Sequence, residues 1–375
     1  MDVLFITYHY LIGNYGGAYA SRAFINAFAE ISDNVDLLYP MRAGAEPTHI
    51  NQKVKMIPVW DNRSRIRKGM NLLLGCSNRF RNIHRYVLDK KYDLVVLDNS
   101  LVVHGVIDYF KKKGTKVITI HHNFNFEYYR DNTRFPLSVP LLYWAERFER
   151  EAVRKSDLNL TLTASDKTLL SEHYGNGKEK IEVLGAFEFE RKPHVIYSDI
   201  EDPIFLITGS LCATQTERSL LPWIEDYYPI LKEVFPSAQL ILAGKEPSET
   251  LINKSKENGI KIIPSPESMQ PILAKSKFYI CATSLGGGLK LRVMDGLSAG
   301  LPVVCHKVSA RGYEKFIESG VLLEYNDQDS FRNQLETLKV SKVNKQKTIE
   351  LYEKVFSFES GRNRFRKLLQ NNGLI

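Results

Sequence analysis

Three stretches of this sequence bring cations, carboxylates or imidazoles up against glycines. Residues 286–304, GGGLKLRVMDGLSAGLPVV, carry Lys290, Arg292 and Asp295 between a glycine run and a closing glycine and proline. Residues 121–132, HHNFNFEYYRDN, set His121 beside His122, with Glu127 close behind. Residues 8–21, YHYLIGNYGGAYAS, place His9 and the pair Gly16 and Gly17 just ahead of a helical pattern.

The first stretch suits an anion. Glycines let a backbone approach a ligand closely, and the free N–H groups at a helix start carry the positive end of its dipole. Lys290 adds a mobile charge and Arg292 a forked one, a combination that neutralises a diphosphate. Asp295 has two readings. It shares a helix face with Arg292 and can form a surface ion pair worth only about 0 to 1 kcal/mol; alternatively its carboxylate accepts two hydrogen bonds from a ribose diol. In the second stretch, a histidine at a strand end can donate to a sugar hydroxyl or a phosphate oxygen and changes protonation state near neutrality. Side chains alternate along an extended segment, so only one of His121 and His122 should face a ligand. A lone histidine is more simply satisfied by neighbouring backbone, but two in succession at a ligand-facing edge favour the functional reading. Gly16 and Gly17 read equally as a plain turn or as a close-approach loop, because the full G-x-G-x-x-G fingerprint is absent.

The elements that must position these residues follow from periodicity. Strand-length apolar runs VLFIT, VDLLY, VKMIPV, DLVVLD, KVITI and LNLTLT alternate with helical patterns such as 17–31 and 139–156. After the turn-rich FERKPHVIYSDIEDP the series restarts as IFLIT, QLILAG, IKIIP, FYICAT, LPVVCH and GVLLEY, and beyond Asp327 the chain is polar and helical. Such alternation predicts parallel βαβ units with helices on both sheet faces. The fold class expected is α/β, with two Rossmann-like domains: residues 1–188, residues 189–355, and a last helix, 356–375, crossing back to the first domain. Ligands of open parallel sheets bind beyond the carboxyl ends of strands. All three stretches directly follow strands, and two such domains facing one another would set the site in the cleft between them.

Composition narrows the classes. A chain of 375 residues with 43% hydrophobic content buries a sizeable core and is neither disordered nor fibrous. The opening MDVLFITYHY has no basic region or small-residue cleavage site, and no apolar run reaches about 18 residues, so neither a secretory signal nor a membrane span is expected. Cys76, Cys212, Cys281 and Cys305 are scattered without metal-ligand spacing, which suits a reducing cytoplasm. A net charge of +8 points to anionic partners. Nucleic acid is disfavoured because the basic residues form no recognised binding motif. Between Asn62 and Leu88 lie seven Lys or Arg residues and no acid, among them Arg63, Arg65, Arg67, Lys68, Arg79 and Arg81. They read either as a solvated surface or as a patch that meets anionic lipid, at about 1 kcal/mol for each cation close to the membrane.

The 286–304 stretch resembles the glycine-rich, lysine-containing "EAMA-G-PVV"-like segment of GT-B glycosyltransferases, above all the large bacterial family of polysaccharide and lipopolysaccharide enzymes. NYGGAYAS, HHNFNFEYYRDN and the ITGSL to LAGKEP region extend the similarity in the same order over most of the chain. The resemblance implies a nucleotide-sugar donor in the second domain and a glycan or lipid-linked acceptor in the first. It assigns the diphosphate to Lys290 and Arg292, with Gly209, Gly287 and Gly288 in the donor loops, and the nucleotide ribose to Asp295. Gly16 and Gly17 fall near the diphosphate and sugar, and His122 on the transferred sugar, with His121 as the fallback one residue away.

Three departures from that family are visible. Its glutamate pair spaced by seven residues would begin at Gly287, so the first acid is absent, and the second is the shorter Asp295. Its usual arginine and lysine after the first strand of the second domain are also missing, Arg218 being the nearest cation. The expected activity is therefore transfer of a hexose-type sugar to a hydroxyl, of the retaining kind, without a metal or other cofactor. Lys290 and Arg292 would stabilise the leaving diphosphate. Inverting transfer would instead require a base, from His122, His9 or Glu127. The alternative is a GT-B-fold accessory or glycan-binding protein that has lost catalysis; an epimerase of the same fold lacks its run of carboxylates here. The expected location is cytoplasmic, extending to the inner face of the membrane.

Overall fold

A computed structural model describes residues 1–13, 15–41, 46–60, 64–73, 79–80, 82–87, 90–136, 138–191, 202–341 and 343–375, without the side chains of Arg65, Lys68 and Leu72. Arg63 and Arg81 of the basic patch, Cys76, and residues 192–201 of the expected domain joint lie outside the described residues. The chain divides into two compact units, Met1–Arg191 with Phe356–Ile375, and Lys192–Val355.

The first unit is built on seven parallel strands: β1 (Asp2–Thr7), β2 (Asn34–Met41), β3 (Val54–Trp60), β4 (Leu94–Asp98), β5 (Lys116–His121), β6 (Leu158–Thr161) and β7 (Ile181–Val183). Their order is β3-β2-β1-β4-β5-β6-β7. The chain runs outward from β1 to β3, then returns to the other side of β1 with β4, making a switch point between β1 and β4. Phe5 of β1 registers with Leu37 of β2 and Val96 of β4. The near-continuous apolar character of these strands fits a sheet covered on both faces. The short β7 was not expected, because three residues are too few to show a period.

The helix Gly16–Ile31 is buried along most of its length, and the burial takes in the polar Ser21, Arg22 and Asn26 along with its apolar residues. The C-terminal helix Phe358–Asn371 packs on it, with the Phe28 and Phe365 rings 4.8 Å apart. Arg364 on that helix donates to the carbonyls of Leu184 and Ala186.

The second unit repeats the plan with six parallel strands: β8 (Ile204–Ser210), β9 (Gln239–Lys245), β10 (Lys261–Pro264), β11 (Phe278–Cys281), β12 (Val303–His306) and β13 (Leu322–Tyr325). Their order, β10-β9-β8-β11-β12-β13, puts the switch point between β8 and β11. Its core gathers Phe205, Trp223, Leu231, Phe278, Phe331 and Leu335. The helix after the glycine run spans Arg292–Ser298, so Lys290 lies in the loop before it and not in its first turn. Gly286 and Gly288, at φ +75° and +73°, keep the chain out of a right-handed helix until that point. Among the described residues no helix is long and apolar enough to cross a membrane.

Candidate functional site

In the first unit, parallel register sets Thr7 of β1 beside Asp98 of β4 at the carboxyl ends of both strands. The Asp98 side chain is wholly buried. Its Oδ2 accepts from the hydroxyls of Thr7 (2.7 Å) and Ser21 (2.5 Å), and its Oδ1 lies 2.6 Å from Nε2 of His122. Burial opposes the charge on Asp98, but His122 and the Ser21 hydroxyl outweigh it and hold the carboxyl below the usual range.

His9 packs against His122 with ring centroids 4.7 Å apart. Burial first, then the neighbouring His122, push the His9 pKa down to about 3, so His9 is neutral at physiological pH and a poor proton acceptor. The same ring explains Gly17: a Cβ there would stand 2.4 Å from Cε1 of His9. Gly16 is exposed and begins the helix.

The two adjacent histidines go opposite ways, as an extended segment demands. His121 is buried, its Nε2 lies 3.1 Å from Oδ1 of Asn159 in β6, and burial lowers its pKa to about 4. His122 turns to the switch point and Asp98. The loop beyond it is fixed by two buried carboxylates. Asp166 accepts from the backbone of Phe124, and Glu149 accepts from the backbone of Asn125 (2.6 Å) and Phe126 (3.3 Å). Burial drives the Glu149 pKa up to about 8. Glu127 sits on the helix Asn125–Asn132 and pairs with Arg130 at 3.6 Å.

In the second unit the fork of Arg292 reaches back across the switch point. It donates from Nη1 to Thr283 (3.2 Å) beyond β11 and from Nη2 to Thr216 (3.1 Å) on the helix Thr214–Asp226 that follows β8. The guanidinium lies over Gly209, where a Cβ would be 3.0 Å from its Cζ. Glycine is needed there twice over, because Gly209 also has φ +142°. Asp295 lies on the same helix, and its Oδ2 accepts from the Thr208 hydroxyl at 3.2 Å, which stands 2.5 Å from the Tyr279 hydroxyl. The Lys290 ammonium is buried and folds onto its own loop, donating to the carbonyls of Gly286 (3.1 Å) and Gly287 (2.9 Å). Gly288 is buried in the same loop. Arg218 is exposed on the helix after β8.

Each unit thus collects its expected residues at its own switch point: His9, Gly17 and His122 in one, Gly209, Lys290, Arg292 and Asp295 in the other. Asp98 escaped sequence reasoning because it reads as the last residue of an apolar strand. Thr208, Thr216 and Thr283 escaped it because lone threonines carry no spacing signal. Of the basic patch, Arg67 is exposed, whereas Arg79 donates to the Tyr10 hydroxyl at 3.1 Å and lies over that ring. Among the described residues no group of three or more His, Cys, Asp or Glu is placed to hold a metal.

Residues 202–339 match the family model described as Glycosyl transferases group 1. The chain is 26% identical over 314 residues to chitobiosyldiphosphodolichol beta-mannosyltransferase of Debaryomyces hansenii, covering 76% of this chain and 65% of that protein. It therefore spans just under two thirds of the mannosyltransferase's length. Among solved structures, sucrose-phosphate synthase from Thermosynechococcus elongatus superposes with a TM-score of 0.74 at 12% identity, over 99% of this chain and 98% of that one. HepE of Anabaena, solved in complex with UDP, gives 0.68 at 12% identity over 99% and 100%. At such identities the likeness shows the fold, and it is that of the GT-B glycosyltransferases.

Proposed function

We propose that this chain, whose residues 202–339 form a glycosyl transferases group 1 domain, moves a hexose-type sugar from a nucleotide diphosphate to the hydroxyl of a glycan or lipid-linked acceptor. The observation that carries the proposal is the Arg292 guanidinium, fixed by Thr216 and Thr283 over Gly209 at the second unit's switch point. A fork held in place before the ligand arrives needs no reorganisation when charge develops on a leaving diphosphate, and such preorganised electrostatics often make the largest contribution to catalysis. Asp295, one turn along the helix, takes the ribose diol. Lys290 holds the glycine loop through two carbonyls and adds its charge to the same seat.

The acceptor side falls to the first unit, where His122 is held by Asp98 and contacts the transferred sugar. Transfer proceeds with retention, the leaving phosphate taking the acceptor proton on the same face, so that no strong protein base is required. The low pKa of His9 and the ion pair of Glu127 both suit that route. The cations serve in place of a metal, and turnover persists in a chelator. The setting is cell-surface polysaccharide, lipopolysaccharide or glycoconjugate synthesis, on the cytoplasmic side and at an anionic membrane surface.

A panel of nucleotide sugars tests the reading, scored by thermal shift and by donor hydrolysis, with NMR of the product anomer. Stabilisation and turnover by one donor are expected. Binding of none would favour a non-catalytic accessory protein, a possibility raised by Gly287 standing where an acid is usual in the family.

A further inference from the structure

At the switch point of the first unit, Nε2 of His9 is buried and has no hydrogen-bond partner among the described residues. A buried polar atom left unpaired costs stability, so a native structure that keeps one calls for a reason, and a ligand supplies it. The ring is nevertheless fixed from several sides. The backbone N–H of His9 donates to the Thr7 hydroxyl at 3.1 Å, and that hydroxyl donates to Asp98, the same carboxylate that holds His122. The His122 ring lies 4.7 Å away, tilted by 53°, and the missing side chain of Gly17 leaves the His9 ring its room. Two imidazoles, from the ends of β1 and β5, are thus anchored on one buried carboxylate.

The chemistry of the pair narrows the ligand. Burial keeps the His9 ring neutral, with a pKa of about 3, so it brings no charge to select an anion. A neutral imidazole has one donor and one acceptor nitrogen; in His122 the Nε2 proton faces Asp98, and Nδ1 of the neutral ring is the acceptor. A hydroxyl group both donates and accepts, and so matches an acceptor on one ring and a donor on the other. Tyr8 and Tyr15, 37% and 43% exposed, flank the His9 ring with centroids 5.7 and 6.0 Å from it. Aromatic rings around a few fixed polar groups are the lining of a small-molecule site, and they suit the C–H face of a pyranose.

We propose that His9 is a specificity-determining residue for the transferred hexose: its Nε2–H donates to one sugar hydroxyl, which in turn donates to Nδ1 of His122. The proposal rests on the sugar-transfer reading above and extends it from one histidine to a pair. It gives the orphaned nitrogen of His9 its partner and gives Gly17 a purpose, since the ring that excludes a side chain at residue 17 is then a substrate ligand. A donor lacking that hydroxyl leaves two imidazole nitrogens unpaired, which is how a site built to bond a hydroxyl rejects the analogue without it.

The test uses the full chain, the donor that the nucleotide-sugar panel selects, and each monodeoxy analogue of its hexose. One analogue should lose about 10- to 100-fold in kcat/KM, the consequence of unpairing buried polar groups. His9→Phe keeps a ring but no nitrogen; it should lose a similar factor with the parent donor and discriminate against that analogue by less than about threefold, as coupled partners do. His9→Gln retains an N–H donor and should recover most of the discrimination. Nitrogen-15 NMR of the wild-type imidazoles should show Nε2 of His9 and Nδ1 of His122 shifting together when the donor is added, or when free hexoses are added at high concentration if the panel yields no donor. Histidine resonances that no sugar moves would overturn the proposal. So would a folded His9→Phe variant that keeps both the parent kcat/KM and the discrimination. A panel that turns over no donor defeats the transfer reading, and the titration with free hexoses still decides this one.

Discussion

Nε2 of His122 lies 2.6 Å from Oδ1 of Asp98, and the other oxygen of that buried carboxylate is already taken by the hydroxyls of Thr7 and Ser21. A carboxylate can only accept, so Nε2 carries the proton, and in the neutral ring Nδ1 is then the acceptor nitrogen. Asp98→Asn keeps an oxygen for the two hydroxyls and turns an NH2 group toward His122. The imidazole tautomer should then reverse, which nitrogen-15 NMR of the histidine ring reads directly. Sugar transfer should fall by about 10²- to 10⁴-fold, the range for a displaced proton-transfer or hydrogen-bonding group. A reversed tautomer with undiminished transfer would remove His122 from the reaction.

The His9 ring and Gly17 give a second, purely steric test. A methyl group at residue 17 would stand 2.4 Å from Cε1 of His9, and His9 is itself confined by His122. Gly17→Ala should therefore cost about 1 to 3 kcal/mol of stability, as overpacking does. With His9→Ala the space reopens, and the added cost of the methyl should drop below about 1 kcal/mol, because residues in contact do not add independently. Thermal or urea unfolding of the four proteins measures this coupling. Equal costs in both backgrounds would show that Gly17 is required for some other reason.

These two relationships mark the limit of what the sequence shows. The alternation of apolar runs located twelve of the thirteen strands among the described residues, and the rule of strand carboxyl ends located the loops at both switch points. Local spacing singled out Arg292, His122 and Gly17 as unusual. It could not supply their partners, because Thr216, Thr283 and Asp98 belong to other βα units and meet these residues only through sheet order. Nor could it tell that Lys290 turns back to its own loop, since a lysine's direction depends on where acceptors lie. Nor could it supply the threonines that hold the guanidinium fork: three residues of helix bring Arg292 and Asp295 to one face, but Thr216 and Thr283 come from two further segments.

Arg292 and Asp295 should separate in kinetics. Arg292→Ala removes a preorganised cation and should lower turnover by about 10²- to 10³-fold while nucleoside affinity changes little. Thr216→Val leaves the guanidinium but frees one arm of its fork, and should produce a smaller loss in the same direction. Asp295→Ala should instead weaken nucleoside binding, measured by calorimetry with UDP or whichever nucleotide the donor panel selects. Lys290→Ala is expected to follow Arg292→Ala, with a further loosening of the loop whose carbonyls it holds. If all four variants lost turnover and nucleoside affinity in the same proportion, the division between phosphate and ribose would be wrong.

Glu149 should give the fold a pH dependence that runs opposite to that of most carboxylates. Its pKa rises from 4.5 to about 8, chiefly through burial, although it accepts backbone hydrogen bonds from Asn125 and Phe126. Between those values the folded protein holds a proton that the unfolded chain has released, so stability falls as pH climbs through the window and levels off above about pH 8. Below about pH 4.5 both states are protonated and this contribution is fully present. Glu149→Gln cannot ionise and keeps one oxygen for the loop amides. Its stability should therefore change less between pH 5 and 8 than the wild type's, with the variant overtaking it at the alkaline end. Denaturant unfolding across that range measures the difference. Identical slopes would mean that Glu149 is already ionised at neutral pH, held so by the loop that begins just after His122.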